Sequence, residues 1–503
     1  MPSNIQPAMI YTPVKMSQAY ASFIERYPAY THTAHLDELR QREYGRLDAQ
    51  SQVYLDYTGG GLYAESQVRQ HVQLLTTQVF GNPHSHNPTS LATTELVENA
   101  RSYVLKYFNA SPEEYLAIFT PNASGALKLV GESYPFTPGS RYVLTFDNHN
   151  SVNGIREFAR TRGADVVYVP VVAPEMRLDR PALERALDAI DPNFHNLFAY
   201  PAQSNFSGVQ HPLEYIDFAR QRGWDVLLDC AAFAPTNRLD IDRWRPDFAA
   251  FSFYKVFGYP TGLGCLLMRR EMLKRLKRPW FAGGTITIAS VQGDGYYLQE
   301  NEAAFEDGTV DYLNIPAIET GLRHIQDVGI DLIHERVVCL TGWLLDQLSA
   351  LRHENGRPLV YVHGPLTTEM RGGTVTISLY DIDGIPLDDH RIEELANHEN
   401  ISLRTGCFCN PGAGEITHGL TGAEMRSFFE QTRPVSFLEL RQTMQGRFHK
   451  SVSAVRISVG IASNFNDVYK FMGFISSFLN RTASQVGSAT YEAHSAHMLR
   501  DAT

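Results

Sequence analysis

Three polar side chains each follow the end of a predicted strand: Asn205, Asp229 and Lys255. The strands are the apolar runs 197–200, 226–228 and 248–253. A lysine in that place is unusual, because lysine is rarely buried unless it is paired. A desolvated lysine has a lowered pKa and forms a Schiff base with an aldehyde. One aldehyde that enzymes hold this way is pyridoxal phosphate (PLP), whose pyridinium nitrogen needs an acid partner. A carboxylate there keeps the nitrogen protonated, so the ring accepts electrons from a carbanion. Asp229 is the candidate. The same lysine and aspartate could instead form a structural ion pair, and residue pattern alone leaves both readings open.

A second chemistry sits in Arg404-Thr405-Gly406-Cys407-Phe408-Cys409-Asn410-Pro411-Gly412. A cysteine attacks as the thiolate, which nearby cations or amide donors favour. The flanking glycines suggest a mobile loop that swings sulfur toward a substrate. Cys-x-Cys is weak as a metal site, because no second Cys/His pair lies close by. His84-x-His86 lacks a third ligand. No metal is assigned.

The elements needed to position these groups are legible. Asp179 caps a helix with Pro181 in its first turn, and Leu183, Ala186, Leu187 and Ile190 recur at helical spacing. A helix over 213–221 follows the first strand, stopped near Gly223. Helical and apolar runs alternate, which predicts an α/β fold. In an open parallel sheet, ligands bind beyond the carboxyl ends of the strands, so Asn205, Asp229 and Lys255 converge there. After about residue 335 the texture changes: a helix over 336–351, a strand over 374–379, a helix over 387–397, the cysteine loop, a strand over 454–459 and a helix from about 466 to 479. The expected organisation is an N-terminal segment (1–50) packing on the small domain, a large domain (51–335), a smaller C-terminal α/β domain (336–481) and a loose tail (482–503). Residues 1 to about 20 also lack steady apolar periodicity and read as loose.

The chain has 503 residues, a formal net charge of −11 and five cysteines. The acidic balance disfavours nucleic acid and anionic membrane as partners. No run of 18 apolar residues predicts a membrane span, and the N-terminus lacks the pattern of a secretory signal. An odd, sparse set of cysteines suggests reduced thiols and a cytoplasmic setting.

Longer motifs carry a resemblance. They are Tyr54-Leu55-Asp56, Gly81-Asn82-Pro83-His84-Ser85, Tyr200 through Gly208, Leu227-Leu228-Asp229, Phe251 through Lys255, Gly258 through Gly264, Phe305 through Thr309 and the cysteine loop. In that order, from about 50 to 480, they resemble class V aminotransferase-family enzymes of PLP fold type I. They are most similar to the cysteine-desulfurase-like N-terminal part of molybdenum cofactor sulfurases. The resemblance implies an aspartate aminotransferase-like large domain with a mostly parallel sheet, and the smaller C-terminal domain. It implies that His149 stacks on the pyridine ring and that Asn205 binds the phenolic oxygen. Asn122 through Ala126 opens a helical pattern and holds the phosphate-loop position, where Ala123 and Ser124 would donate; helix N-termini supply such donors. Ser252 would add a hydroxyl, and Tyr254 stands where many relatives carry histidine. Thr309 resembles a residue that reaches the phosphate across a dimer interface, so a homodimer is expected. Cys409 aligns with the persulfide-forming cysteine and Cys407 is the runner-up. Arg456 matches the arginine that binds the substrate carboxylate in two parallel hydrogen bonds, assisted by Arg404. Without the resemblance Arg456 reads as an ordinary strand-edge surface arginine.

Three features depart from the pattern. Ala232 replaces a glutamine near the phenolic oxygen, a loss that Gln203 could make good. The run Asp56-Tyr57-Thr58-Gly59-Gly60-Gly61 is richer in glycine than relatives show. A third cysteine just downstream of the loop is replaced by Gly414. The expected activity is removal of sulfur from L-cysteine or a related amino acid: Lys255 moves the α-proton, Cys409 keeps a persulfide, and alanine leaves. The persulfide would pass to an acceptor protein or small molecule. The alternative is another PLP reaction on an amino acid: C–S lysis, decarboxylation with carbon–carbon bond formation, epimerisation, cyclisation or transamination. A non-catalytic persulfide carrier or scaffold is disfavoured by the intact lysine, aspartate, histidine and asparagine set.

Overall fold

The computed structural model describes residues 11, 13–430, 433–448 and 450–489. Its centre is a seven-stranded sheet. The strands are β1 (Tyr115–Thr120), β2 (Arg141–Thr145), β3 (Asp165–Val169), β4 (Leu197–Pro201), β5 (Asp225–Asp229), β6 (Phe248–Ser252) and β7 (Gly264–Arg269). Their spatial order is β1-β7-β6-β5-β4-β2-β3. All pairings are parallel except those of β7, which runs against both β6 and β1. Both faces are covered, so the inner strands read as continuous apolar runs rather than alternating ones. Successive side chains still point to opposite faces. Phe198, Tyr200, Val226 and Leu228 join one core cluster, and Leu197, Ala199 and Leu227 the other. Helices Pro88–Tyr107 and Pro316–Val328 cover the first face, and Ala123–Ser133 and Ile155–Thr161 the second.

This topology has one consequence for chemistry. Strands β1, β2, β4, β5 and β6 all end at the same edge, so the loops that follow them share one end of the sheet. No helix among the described residues is long and apolar enough to cross a membrane.

A smaller sheet lies C-terminal: β8 (Val360–His363), β9 (Thr374–Leu379), β10 (Arg404–Gly406) and β11 (Ala454–Ser458), in order β8-β9-β11-β10 and antiparallel throughout. Early residues bridge the two sheets: the Gly61 amide donates to the Tyr254 carbonyl just after β6 at 3.0 Å, and residues 53–58 bind the C-terminal part. Val53 and Tyr54 pair with Ile401 and Ser402, and the Thr58 amide donates to Ser458 Oγ at 2.8 Å. The N-terminal segment packs on Ile330–Ala350 and Phe465–Ser476. Arg40 is buried against Asp467, Arg336 pairs with Asp37 at 2.9 Å, and Phe23 stacks on Phe465.

Several element bounds differ from the sequence expectation. The helix expected at 336–351 begins at Ile330, so the boundary expected near 335 falls inside it. The helix expected over 213–221 is shorter, Tyr215–Arg220, because Pro212 opens a turn before it. Residues 13–20, expected to be loose, belong to the helix Pro13–Arg26, which buries Ala19 and Phe23. The expected tail holds a short helix, Ala483–Val486, with Val486 buried. The remaining loose-end expectations, 1–10 and 490–503, lie outside the described residues.

Candidate active site

The shared sheet edge opens into a cavity of about 150 Å³. Each strand end contributes to it: Ala123 and Ser124 after β1, His149 after β2, Gln203 and Asn205 after β4, Asp229 at the end of β5, and Ser252, Tyr254 and Lys255 at the end of β6. The sequence separation of these residues reaches 132 positions, and only the parallel topology brings them together.

Lys255 is carried on a single helical turn, Phe253–Phe257, directly after β6. Its Nζ makes no ion pair or hydrogen bond among the described residues. The structural ion pair with Asp229 is therefore not formed. Burial pushes the amine below its usual range, and the Asp229 charge opposes that only in part. A buried, unpaired lysine favours its neutral, nucleophilic form. Asp229 accepts from the Ala231 amide at 3.0 Å, which fixes one oxygen.

His149 caps the short helix Asn150–Asn153. The Ser151 amide donates to its Nδ1 at 3.1 Å, and Ser151 Oγ lies 3.0 Å from the same nitrogen. Burial lowers the imidazole pKa, so the ring is held neutral. Ser151 also touches Ser124, Oγ to Oγ at 2.5 Å. Sequence reasoning gave Ser151 no role. Its place two residues after a capping histidine was the available signal.

The helix Ala123–Ser133 aims its N-terminus at the cavity, with Asn122 capping the Gly125 amide. Ser252 Oγ accepts from the Ala123 amide at 2.8 Å, which leaves the hydroxyl proton free to donate. Gln203 Oε1 is held by Gln210 at 3.1 Å and Asn237 at 3.4 Å, and its amide nitrogen, beside Ala232, has no hydrogen-bond partner among the described residues. Thr309 does not line this cavity. It lines a neighbouring one of about 580 Å³ that shares Asn122.

The small sheet adds the arginines. Arg456 is buried at 2% exposure on β11, an inner strand, so it is not a surface arginine. Its Nη2 donates to Asp56 Oδ1 at 2.9 Å and its Nη1 to the Asn205 carbonyl at 3.0 Å. Its Nε is buried with no hydrogen-bond partner among the described residues. Arg404 Nη2 donates to the other Asp56 oxygen at 2.7 Å. Asp56 thus occupies both guanidinium groups with one carboxylate. It was visible in sequence only as part of a motif. The glycine-rich run beside it also acquires a reason. A Cβ on Gly59 would fall 2.7 Å from Arg404 Nη2, and one on Gly61 would fall 2.8 Å from the Lys255 carbonyl. Only a chain without side chains passes this close to both groups.

The cysteine loop leaves β10 beside these arginines. Cys409 is exposed and Cys407 is half-buried. Burial pushes the Cys407 thiol pKa up. Phe408 and Cys409 both sit in the left-handed region, with φ of +56° and +55°. That conformation costs a side-chain-bearing residue on the order of 1–2 kcal/mol. Phe408 is buried, with Arg456 4.7 Å above its ring.

The chain is similar to known proteins over most of its length. The family Aminotransferase class-V matches residues 53–471. The chain is 38% identical over 472 residues to the molybdenum cofactor sulfurase of Solanum lycopersicum, covering 88% of this chain and 57% of that protein. It is 34% identical over 464 residues to the molybdenum cofactor sulfurase of Homo sapiens, covering 88% and 51%. The chain thus spans little more than half the length of these relatives. Among solved structures it is similar to the cysteine desulfurase from Thermococcus onnurineus NA1, with a TM-score of 0.71, 23% identity, and coverage of 88% and 97%. It is also similar to the cysteine desulfurase CsdA from Escherichia coli, with a TM-score of 0.67, 19% identity, and coverage of 90% and 98%.

The donor set fits the cofactor of this fold. An unpaired buried amine suits an aldehyde, a strand-end carboxylate suits a pyridine nitrogen, and a helix N-terminus with serine hydroxyls suits a phosphate. By its fold, and by a family match over most of its length, the chain belongs to the aminotransferase class-V family of PLP-dependent enzymes.

Proposed function

We propose that this chain removes sulfur from L-cysteine, giving alanine and a persulfide on Cys409. The observation that carries the reading is a buried, unpaired lysine lying close enough to the buried Arg456 and the exposed Cys409 for both to act on its charge. The similarity to molybdenum cofactor sulfurases supports it.

When bound, PLP supplies an electron sink for a carbanion at the substrate's α-carbon. Lys255 Nζ would hold the cofactor aldehyde and would move the proton at that carbon. Asp229 would hold the proton on the ring nitrogen. His149, kept neutral by burial, would pack on the ring without adding charge. Ser124, Ser252 and the Ala123 turn would receive the phosphate, and Asn205 and Gln203 would serve the phenolic oxygen. Arg456 binds the substrate carboxylate, assisted by Arg404. Cys409 thiolate then attacks the substrate sulfur. A sulfur–sulfur bond forms and the carbon–sulfur bond breaks, its electron pair staying with the carbon. L-cysteine plus enzyme thiol thus become alanine plus enzyme persulfide. Cys409 is preferred to Cys407 because it is exposed, whereas burial holds the Cys407 thiol protonated.

We further propose a homodimer, with Thr309 serving the partner's cofactor. Its position outside its own cavity supports this, as do the exposed apolar residues Val79, Trp280, Phe281 and Tyr297. Five free cysteines support a reducing, cytoplasmic setting. The persulfide would pass on to an acceptor protein or small molecule.

The test is alanine release from L-cysteine by PLP-loaded protein. Stoichiometric alanine and sulfane sulfur are expected. A second reading, another PLP reaction on an amino acid, is favoured by Ala232 in the wall where relatives place glutamine. Turnover of other amino acids with no alanine from cysteine would establish it instead.

A further inference from the structure

The cysteine loop is held by contacts outside itself. Asn205 Nδ2 donates to the Phe408 carbonyl at 2.7 Å. Asn205 Oδ1 accepts from Asn410 Nδ2 at 2.9 Å, and the same Asn410 nitrogen donates to the Asp147 carbonyl at 2.7 Å. The Asn150 amide donates to the Cys409 carbonyl at 2.7 Å. The Asn205 carbonyl accepts from Arg456, whose guanidinium covers the Phe408 ring. These bonds surround two adjacent residues, Phe408 and Cys409, in the left-handed region. Side-chain-bearing residues adopt that conformation as a pair only where surroundings impose it.

We infer that Asn205 is a positioning residue for Cys409: its amide latches the cysteine loop in the docked conformation over the cofactor cavity. This rests on the desulfurase reading for its purpose but not for its test. Both ends of the Asn205 amide are spent on the loop in this structure. One hydrogen on Nδ2 remains for the cofactor's phenolic oxygen, so a single amide joins cofactor and loop. The loop then has two states. Docked, it holds Phe408 under Arg456 and fixes Cys409 at the cavity mouth. Released, Phe408 and Cys409 relax to ordinary backbone conformations and the sulfur is free to move toward an acceptor. Loss of the Asn205 donor favours the released state.

Phe408 provides the readout, because it is 8% exposed when docked and becomes a chymotrypsin site when released. Cleavage after Phe408 is followed by mass spectrometry in the full chain, with saturating PLP and again without it. Cleavage after Phe198, fully buried in the large sheet, reports global unfolding in the same molecule. The variants are Asn205→Ala and the isosteric Asn205→Asp, which keeps the acceptor for Asn410 but lacks the donor. Both are expected to raise the ratio of Phe408 to Phe198 cleavage about tenfold, the cost of one lost hydrogen bond that leaves a carbonyl unpartnered. The rise should appear in the PLP-free protein as well, so cofactor loss does not explain it. An unchanged ratio in both variants, or a rise confined to the PLP-treated protein, overturns the inference. Neither outcome depends on turnover of cysteine, so a failed desulfurase assay leaves this result readable.

Discussion

The cofactor cavity and the cysteine loop are built on opposite principles. The cavity groups sit at the ends of five strands of a sheet buried on both faces, and Lys255 follows β6 by three residues. Their positions are fixed by core packing, where large-to-small changes cost about 2–5 kcal/mol. The cysteine loop has far less such support: Phe408 alone of the Cys407–Cys409 stretch is buried, in a small cluster with Phe206 and Val209. It is held in a disfavoured conformation by hydrogen bonds from Asn205 and Asn150, each worth about 1 kcal/mol. Under the proposed function, the contrast matches a division of labour. Proton chemistry at the α-carbon needs fixed geometry, while a sulfur carrier must visit a substrate and then an acceptor.

The largest expected effect lies on the rigid side. Lys255→Ala should lower turnover by roughly 1,000-fold or more, as expected for loss of a positioned acid–base group, and abolish the visible absorbance of lysine-bound PLP. Retained absorbance would contradict the assignment of Lys255. Cys409→Ala should instead keep the absorbance and lose the persulfide, separating the two regions. Third in size is the arginine that joins them. Arg456→Lys should raise KM by roughly 10–100-fold with a smaller change in kcat, since a bidentate, charge-assisted contact is lost. An unchanged KM would show that the substrate carboxylate lies elsewhere.

The smallest effect is on stability. Burial holds the Lys255 pKa below its usual value, so the unfolded chain binds a proton that the folded, PLP-free chain sheds. Stability then rises with pH until the ordinary lysine range is reached. Lys255→Met should be more stable than wild type at neutral pH in PLP-free form, and should lose that rise. Melting temperatures across pH would show it, and parallel curves for the two proteins would contradict it.

How much of this was legible in sequence follows the same division. The strand ends at Asn205, Asp229 and Lys255 were readable because apolar runs stop abruptly on polar residues. Strand 374–379 was readable to the residue. Asp56 was not, because its partners Arg404 and Arg456 lie 348 and 400 positions away. The left-handed pair at Phe408 and Cys409 was invisible because neither residue is glycine, the usual mark of that conformation. Arg456 was ambiguous until β11 proved to be an inner strand. The early start of the helix at Ile330 follows Gly329, whose φ of +93° ends the preceding helix and lets the next begin at once. The glycine run at 59–61 was visible as a departure, but its cause was a contact with Arg404 and Lys255 that no local pattern encodes.

The most direct measurement is peptide mapping of the persulfide after PLP-loaded protein has met L-cysteine, with Cys409→Ala and Cys407→Ala beside wild type. The expected result is a persulfide on Cys409 in wild type and Cys407→Ala, matched by alanine, and none in Cys409→Ala. A persulfide on Cys407, or alanine release that persists in Cys409→Ala, would contradict the division of labour between the rigid cavity and the cysteine loop.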